Sequence, residues 1–206
     1  MSPDIPALRL RPDLLKIYEV IPPGSRVLDL GAGSGDLLKA LERCKGATVF
    51  GIDKSTAGIM KCIAKGIPIF QSNLDEGLED YEDQSFDYVI LSQTLQQVQK
   101  PKKILQDAVR VGKTALVSIP NFGHWRIRFQ LLFRGTMPTT RAIPYRWYET
   151  PNIHLLSILD FRDLCAEVGI RIVREHSVGF RRGFLARFRP LWPNMFAAQG
   201  VFEIRR

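Results

Sequence analysis

The sequence predicts an α/β fold: a mostly parallel, seven-stranded sheet with helices on both faces and an antiparallel edge strand. Two observations carry the prediction. Short, near-continuous apolar runs alternate with stretches of helical pattern, as expected of strands buried on both faces and joined by crossover helices. The first run also opens into a glycine-rich turn, Val27-Leu28-Asp29-Leu30-Gly31-Ala32-Gly33-Ser34-Gly35, and Asp53 closes the next run, Val49-Phe50-Gly51-Ile52. Strand, glycine turn, helix and a second strand ending in a carboxylate make a Rossmann-like βαβ unit.

The elements follow in order. Residues 12–20 read as a short helix stopped by Pro22-Pro23-Gly24. Strand 26–30 precedes a helix near 35–44, strand 47–52 a helix near 55–65, and strand 67–71 follows. Asp80 to Gln84 is an acidic loop. Phe86 to Leu91 is a buried strand, a helix starts at Pro101 and reaches about Arg110, and Thr114 to Ile119 is the next strand. The alternation then breaks over 120–157, a stretch rich in aromatic residues, arginine and proline. It leaves the carboxyl end of a central strand, so it is expected as an insertion over the ligand crevice of one domain spanning 1–206. A helix near 158–168 ends at Gly169, strand 170–176 follows, and a last strand at 200–205 is expected antiparallel on the sheet edge.

The turn constrains the ligand. Gly31, Gly33 and Gly35 allow a tight strand-to-helix turn and close approach of backbone to ligand. Asp53 lies 22 positions after Gly31, near the spacing at which a carboxylate meets a ribose diol. The third glycine of the dinucleotide pattern would fall at position 36, which is Asp36. A carboxylate at that helix start repels a pyrophosphate, and Asp29 adds another beneath the turn. A ligand with a ribose, a cationic head and no phosphate suits these charges better than NAD, which points to S-adenosylmethionine or its demethylated product, S-adenosylhomocysteine. The competing readings are a glycine turn that merely joins strand to helix, and a dinucleotide site.

Composition narrows the class. The chain has 206 residues, 45% hydrophobic and 24% charged, ordinary for a soluble globular domain. No apolar run is long enough to span a membrane, no secretory signal pattern opens the chain, and a cytoplasmic location is expected. Cys44, Cys62 and Cys165 lack metal-ligand spacing, so no metal site is expected. Basic and acidic residues balance at 15 each over 1–120, so the whole +8 falls in the last 86 residues, where all 14 basic residues are arginine. Trp125, Trp147 and Trp192 lie there too. This favours an acidic protein surface, an anionic small molecule or nucleic acid as partner; a solvated basic face is the plain alternative. Nucleic acid is disfavoured, because Ser92-Gln93-Thr94-Leu95 follows the fourth strand where adenine-N6 enzymes carry Asn/Asp-Pro-Pro-aromatic, and Asn121 follows Pro120 where cytosine-C5 enzymes carry cysteine.

The remaining candidates sit at strand ends. Asn73 is a candidate for the adenine amino group, alongside Asp75, with Leu74 between them; an Asx turn is the competing reading for Asn73. Ser92 and Gln93 are placed near the sulfonium. His124, Tyr148 and His154 are candidates for acid–base or acceptor chemistry, although a lone histidine more often packs or caps.

Together the βαβ start, Gln93-Thr94-Leu95-Gln96, Pro120-Asn121-Phe122-Gly123-His124-Trp125-Arg126 and the segment from Tyr145 to His154 resemble the MetW family of methionine biosynthesis proteins. The resemblance runs from about Leu10 to Ser177. It implies a class I methyltransferase fold and work alongside homoserine O-acyltransferase (MetX) in methionine synthesis. This chain has Ala32 and Ser34 where the family pattern has Cys and Asp, and Asn73 where it has Asp. The alternative is a methyltransferase for a small-molecule acceptor.

Overall fold

The computed structural model describes residues 10–140, 142–179 and 191–206. Its elements in chain order are α1 (Pro12–Val20), β1 (Arg26–Leu30), α2 (Asp36–Lys45), β2 (Thr48–Asp53), α3 (Thr56–Ala64), β3 (Ile69–Gln71), β4 (Phe86–Ser92), α4 (Pro101–Val111), β5 (Gly112–Pro120), α5 (Trp125–Arg134), α6 (Ile158–Glu167), β6 (Arg171–Val178), α7 (Pro193–Phe196) and β7 (Gln199–Arg205).

The seven strands form one sheet in the order β3-β2-β1-β4-β5-β7-β6. All pairs from β3 to β5 are parallel, and β7 runs antiparallel to both its neighbours. The antiparallel strand is therefore at the expected end of the sheet, but one place in from the edge. Burial explains the placement. Six of the seven β7 residues are buried, as a strand covered on both sides requires, whereas β6 has one buried residue in eight and exposes Arg171 and Arg174, charges that protect an edge.

Alternation along the strands divides the core in two. Leu28, Val89, Val117 and Phe202 face α4 and α6, while Val27, Ile90, Leu116 and Val201 face α1 and α2. Phe161 of α6 meets Phe202 with ring centroids 4.4 Å apart. Local signals set the helix ends. Pro12 and Pro101 occupy first-turn positions of α1 and α4, where a missing N–H costs nothing. α6 starts with a reciprocal capping box between Ser157 and Asp160. Within 120–157 the structure adds α5, an element the aromatic, arginine-rich pattern did not announce.

Candidate functional site

β1 is flanked by β2 and β4, so chain direction around the sheet reverses beside its carboxyl end. Open parallel sheets place ligands at this point. Here a cleft of about 940 Å³ lies across the carboxyl ends of β1 to β4. Its floor is the glycine turn, its sides are Asp53 and the 72–75 segment, and Ser92 to Thr94 close the β4 end. Leu10, Arg11 and Leu14 reach it from the start of α1, and Tyr145, Asn152 and Gln199 from the far wall.

The turn is held by its own backbone and by Asp53. Gly31, Gly33 and Gly35 have φ of 86°, 56° and 69°, the left-handed region that glycine enters without steric cost. A Cβ on Gly31 would stand 2.6 Å from Thr94 Oγ1. That hydroxyl is fixed, because it donates to the Leu30 carbonyl at 2.8 Å. The Asp53 carboxylate accepts from Gly33 N–H at 2.7 Å and from Ser55 N–H at 2.8 Å. One side chain thus ties the β2 end to both the turn and the α3 cap.

Asp29 lies beneath the turn, 3% exposed, and its Oδ1 has no hydrogen-bond partner. Burial first, then the neighbouring Asp53 carboxylate, push its carboxyl up to about 7, against a downward pull from Arg11. A buried acid left unsatisfied is costly and marks a place where a ligand donor fits. Asp36 is different. It pairs with Lys65 at 2.5 Å and accepts from Ser34 Oγ at 2.5 Å. Against the upward push of burial, these contacts hold its carboxyl below the ordinary range. Its charge is compensated, so the repulsion of a phosphate rests on Asp53, joined by Asp29 once that acid ionises above about pH 7, more than on Asp36.

The sequence candidates fall into two groups. Asp29, Gly31, Gly33, Asp53, Asn73 and Leu74 line the cleft, as do Ser92 and Gln93. Gly35 lies behind it, where a Cβ would meet Cys62 Sγ at 2.8 Å. The Asn73 side chain accepts from Asp75 N–H at 3.2 Å, the Asx turn anticipated as its competing reading, and Asp75 holds the amides of Gln99 and Lys100. His124, Tyr148 and His154 are not among the cleft-lining residues. His124 caps α5, accepting from Arg126 N–H at 3.3 Å. Tyr148 is exposed, and its hydroxyl accepts from Arg146 at 2.7 Å. The His154 amide donates to the Gln96 carbonyl at 3.1 Å, as Ile153 does at 2.9 Å, which ties the 145–154 segment to the loop after β4.

Sequence reasoning missed Asp13. This α1 residue is fully buried, and its Oδ2 accepts from Ser118 at 2.9 Å, Ser92 at 3.2 Å, Gln93 at 3.3 Å and Arg11 at 3.4 Å. It clamps α1 onto the ends of β4 and β5. Gln93 itself has φ 54°, a left-handed conformation that a non-glycine residue holds only when its surroundings enforce it. Gln199, 2% exposed, presents an unpartnered Oε1 on the cleft wall. Among the described residues no cluster of metal-ligating side chains exists, and no helix is long and apolar enough to cross a membrane. Burial raises the Cys165 thiol to about 12, leaving it inert.

Sheet order, glycine turn and cleft define a class I S-adenosylmethionine-dependent methyltransferase fold, and solved structures agree. The chain superposes on an S-adenosylmethionine dependent methyltransferase from Mesorhizobium loti with TM-score 0.68, at 17% identity, covering 94% of this chain and 98% of that one. It superposes on magnesium protoporphyrin IX methyltransferase from Synechocystis, solved with bound S-adenosylhomocysteine, with TM-score 0.62, at 17% identity, covering 94% and 80%. The family model of methionine biosynthesis protein MetW matches residues 11–204. The chain belongs to the MetW family. It is 34% identical over 183 residues to the bifunctional methionine biosynthesis protein MetXA/MetW of Rhodopirellula baltica, a match covering 84% of this chain and 29% of that protein. It is 33% identical over 96 residues to a ubiquinone biosynthesis O-methyltransferase of Hahella chejuensis, covering 44% of this chain and 40% of that protein. The matched segments thus span only 29% and 40% of the length of these relatives.

Proposed function

We propose that the cleft binds S-adenosylmethionine or S-adenosylhomocysteine, and that the chain acts in methionine biosynthesis through contact with homoserine O-acyltransferase. The observation that carries the ligand reading is the unpartnered, buried Asp29 oxygen beside a turn whose next carboxylate, Asp53, ends β2. The residues fit the molecule. Asp53 would accept from the ribose hydroxyls, and the Gly31–Gly33 backbone leaves room for the chain that follows. Asp29 would take the α-ammonium. Arg11, anchored to Asp13 and Ser92, would face the α-carboxylate. Leu74 would pack on the adenine, with Asn73 and Asp75 at its edge. When bound, the sulfonium form supplies an electrophilic methyl carbon. The cleft's own residues hold the two charges of the amino-acid moiety and let no phosphate sit between Asp29 and Asp53.

The partner reading is supported by the Rhodopirellula relative, whose name joins MetXA and MetW in one chain. A cytoplasmic location fits this reading. The second reading, methyl transfer to a small acceptor, has one observation in its favour. The cleft continues past the turn to Tyr145, Asn152 and Gln199, where a second small molecule would lie beside the uncharged amides of Gln93 and Gln199. Titration calorimetry with S-adenosylhomocysteine tests the ligand reading, and NAD is the control. Acyltransferase assays with and without the chain test the partner. Turnover of S-adenosylmethionine with small acceptors, in the absence of the acyltransferase, would replace the first reading by the second.

A further inference from the structure

Among the described residues, α5 has few partners. Of its ten residues only Ile127 is buried, while Phe129, Leu132 and Phe133 are 51%, 74% and 72% exposed. At 3.6 residues per turn, Leu132, Trp125, Phe129 and Phe133 share an arc of roughly 100°, with Arg128 at one edge and Arg126 at the other. The rings form a ladder: Trp125 meets Phe129 edge-on at 6.0 Å, and Phe129 stacks on Phe133 at 5.5 Å. Exposed apolar surface this continuous is what soluble proteins reserve for partners. The charges around it are of one sign. The sequence has no Asp or Glu between Asp107 and Glu149. Among the described residues, no carboxylate pairs with Arg126, Arg128 or Arg134.

We propose that the exposed face of α5, continued by Met137, is a docking surface for a separate protein that presents an apolar groove rimmed by carboxylates. Resting on the partner reading above, that protein is the acyltransferase. Charge complementarity selects an acidic rim, since a guanidinium without a carboxylate partner of its own is free to bind one; Arg126 lies over the Trp125 ring at 5.2 Å, and Arg128 Nε donates to the Gly123 carbonyl at 2.6 Å. The aromatic strip with flanking arginines has the makeup of an interface centre, where Trp, aromatic and Arg side chains carry most of the binding energy. The Rhodopirellula relative supplies the occupant. There the counterpart of this chain is 29% of a polypeptide that also bears the MetXA name. Tethering holds two modules at millimolar effective concentration, enough to sustain a contact that separate chains must make through their surfaces alone.

The test uses the intact chain and the purified homoserine O-acyltransferase of the same organism, with binding followed by biolayer interferometry. Two variants are compared with the parent: Leu132→Ser/Phe133→Ser in the strip, and Arg126→Glu at its edge. The strip variant is expected to bind at least tenfold more weakly. The edge variant is expected to lose several-fold at low salt, with the difference shrinking as salt rises. Thermal midpoint and S-adenosylhomocysteine affinity should stay at parental values in both, since these side chains face solvent. If the parent binds and both variants bind equally well, the surface is wrong while the partner reading stands. If the parent does not bind the acyltransferase, both fall. If the strip variant instead abolishes self-association or binding to anionic vesicles, with no acyltransferase contact, the occupant assigned here is overturned.

Discussion

Replacing Asp29 by Asn should change stability and ligand affinity in opposite directions. The folded chain holds the Asp29 proton up to about pH 7, whereas the group ordinarily releases it near 3.8. Between those values the folded state binds more protons than the unfolded state, so this group makes stability fall as pH rises, and the loss is complete above about pH 7. At about 1.4 kcal/mol per pH unit the full cost of ionising the buried acid is about 4 kcal/mol, of which about 3 kcal/mol falls between pH 4.5 and 8. Asn cannot ionise. The difference in unfolding free energy, variant minus parent, should therefore rise by about 3 kcal/mol over that range, measured by urea denaturation without ligand. In thermal melts that is roughly 6–12 °C for a chain of this size. The ligand arm has the opposite sign. If an ammonium docks on ionised Asp29, parental affinity for S-adenosylhomocysteine should climb up to about tenfold per pH unit below 7 and level off above it. The Asn variant should bind about 1.5–3 kcal/mol more weakly at pH 8, with little pH dependence. A stability difference that stays flat within about 1 kcal/mol would refute the argument that burial holds this acid protonated. Undiminished affinity in the variant would refute its role in holding the ligand.

Asp53→Ala should weaken S-adenosylhomocysteine binding by about 1–3 kcal/mol in calorimetry, because a charged acceptor is lost; unchanged affinity, or tight NAD binding by the parent, would sink the cofactor assignment. Asp13→Ala strands donors from Ser118, Ser92 and Gln93 in a buried site and should cost about 3 kcal/mol in denaturant unfolding, with Asp13→Asn milder. Gly31→Ala combines a φ of 86° with a 2.6 Å approach to Thr94 Oγ1 and should cost about 2–4 kcal/mol. Adding Thr94→Ala should recover part of that loss and leave the backbone strain, and a double-mutant cycle without coupling would show that the clash is absent.

Most of the sheet was legible because its determinants are local. Apolar runs such as Val27–Leu30 and Phe86–Leu91 are bounded by glycine, proline or charge, and helix starts announce themselves at Pro12, Pro101 and Ser157. The glycine turn and Asp53 were readable for the same reason, since both lie within one βαβ unit and meet through a single hydrogen bond at 2.7 Å. The position of β7 was less so. Residues 199–205 look alike as an edge or an inner strand until the polar alternation of β6 is weighed against their near-complete burial. α5 escaped notice because its apolar residues do not face the core, and an outward-facing pattern breaks the periodicity argument that finds helices.

Asp13 was illegible for a deeper reason. Its partners stand 79, 80 and 105 positions away, and nothing in an α1 that begins Pro12-Asp13 separates a buried clamp from an ordinary acid at a helix start, where the dipole alone favours a carboxylate. Only the closing of α1 over the ends of β4 and β5 makes it a clamp. The same closing brings Arg11 to the cleft, sets Ser92 between Asp13 and Ser118, and holds Gln93 in a left-handed conformation. These are the places where local rules are broken: an acid in the core, a non-glycine residue at positive φ, and at Asp29 an oxygen with no partner. Fold stability accounts for the Asp13 clamp, whose Oδ2 accepts four hydrogen bonds, but not for the left-handed Gln93 or the unpartnered Asp29 oxygen, each of which costs free energy in the ligand-free chain. Gln93 and Asp29 both line the cleft, which is what a binding site produces, because there the ligand's donors offset the cost that the free protein carries.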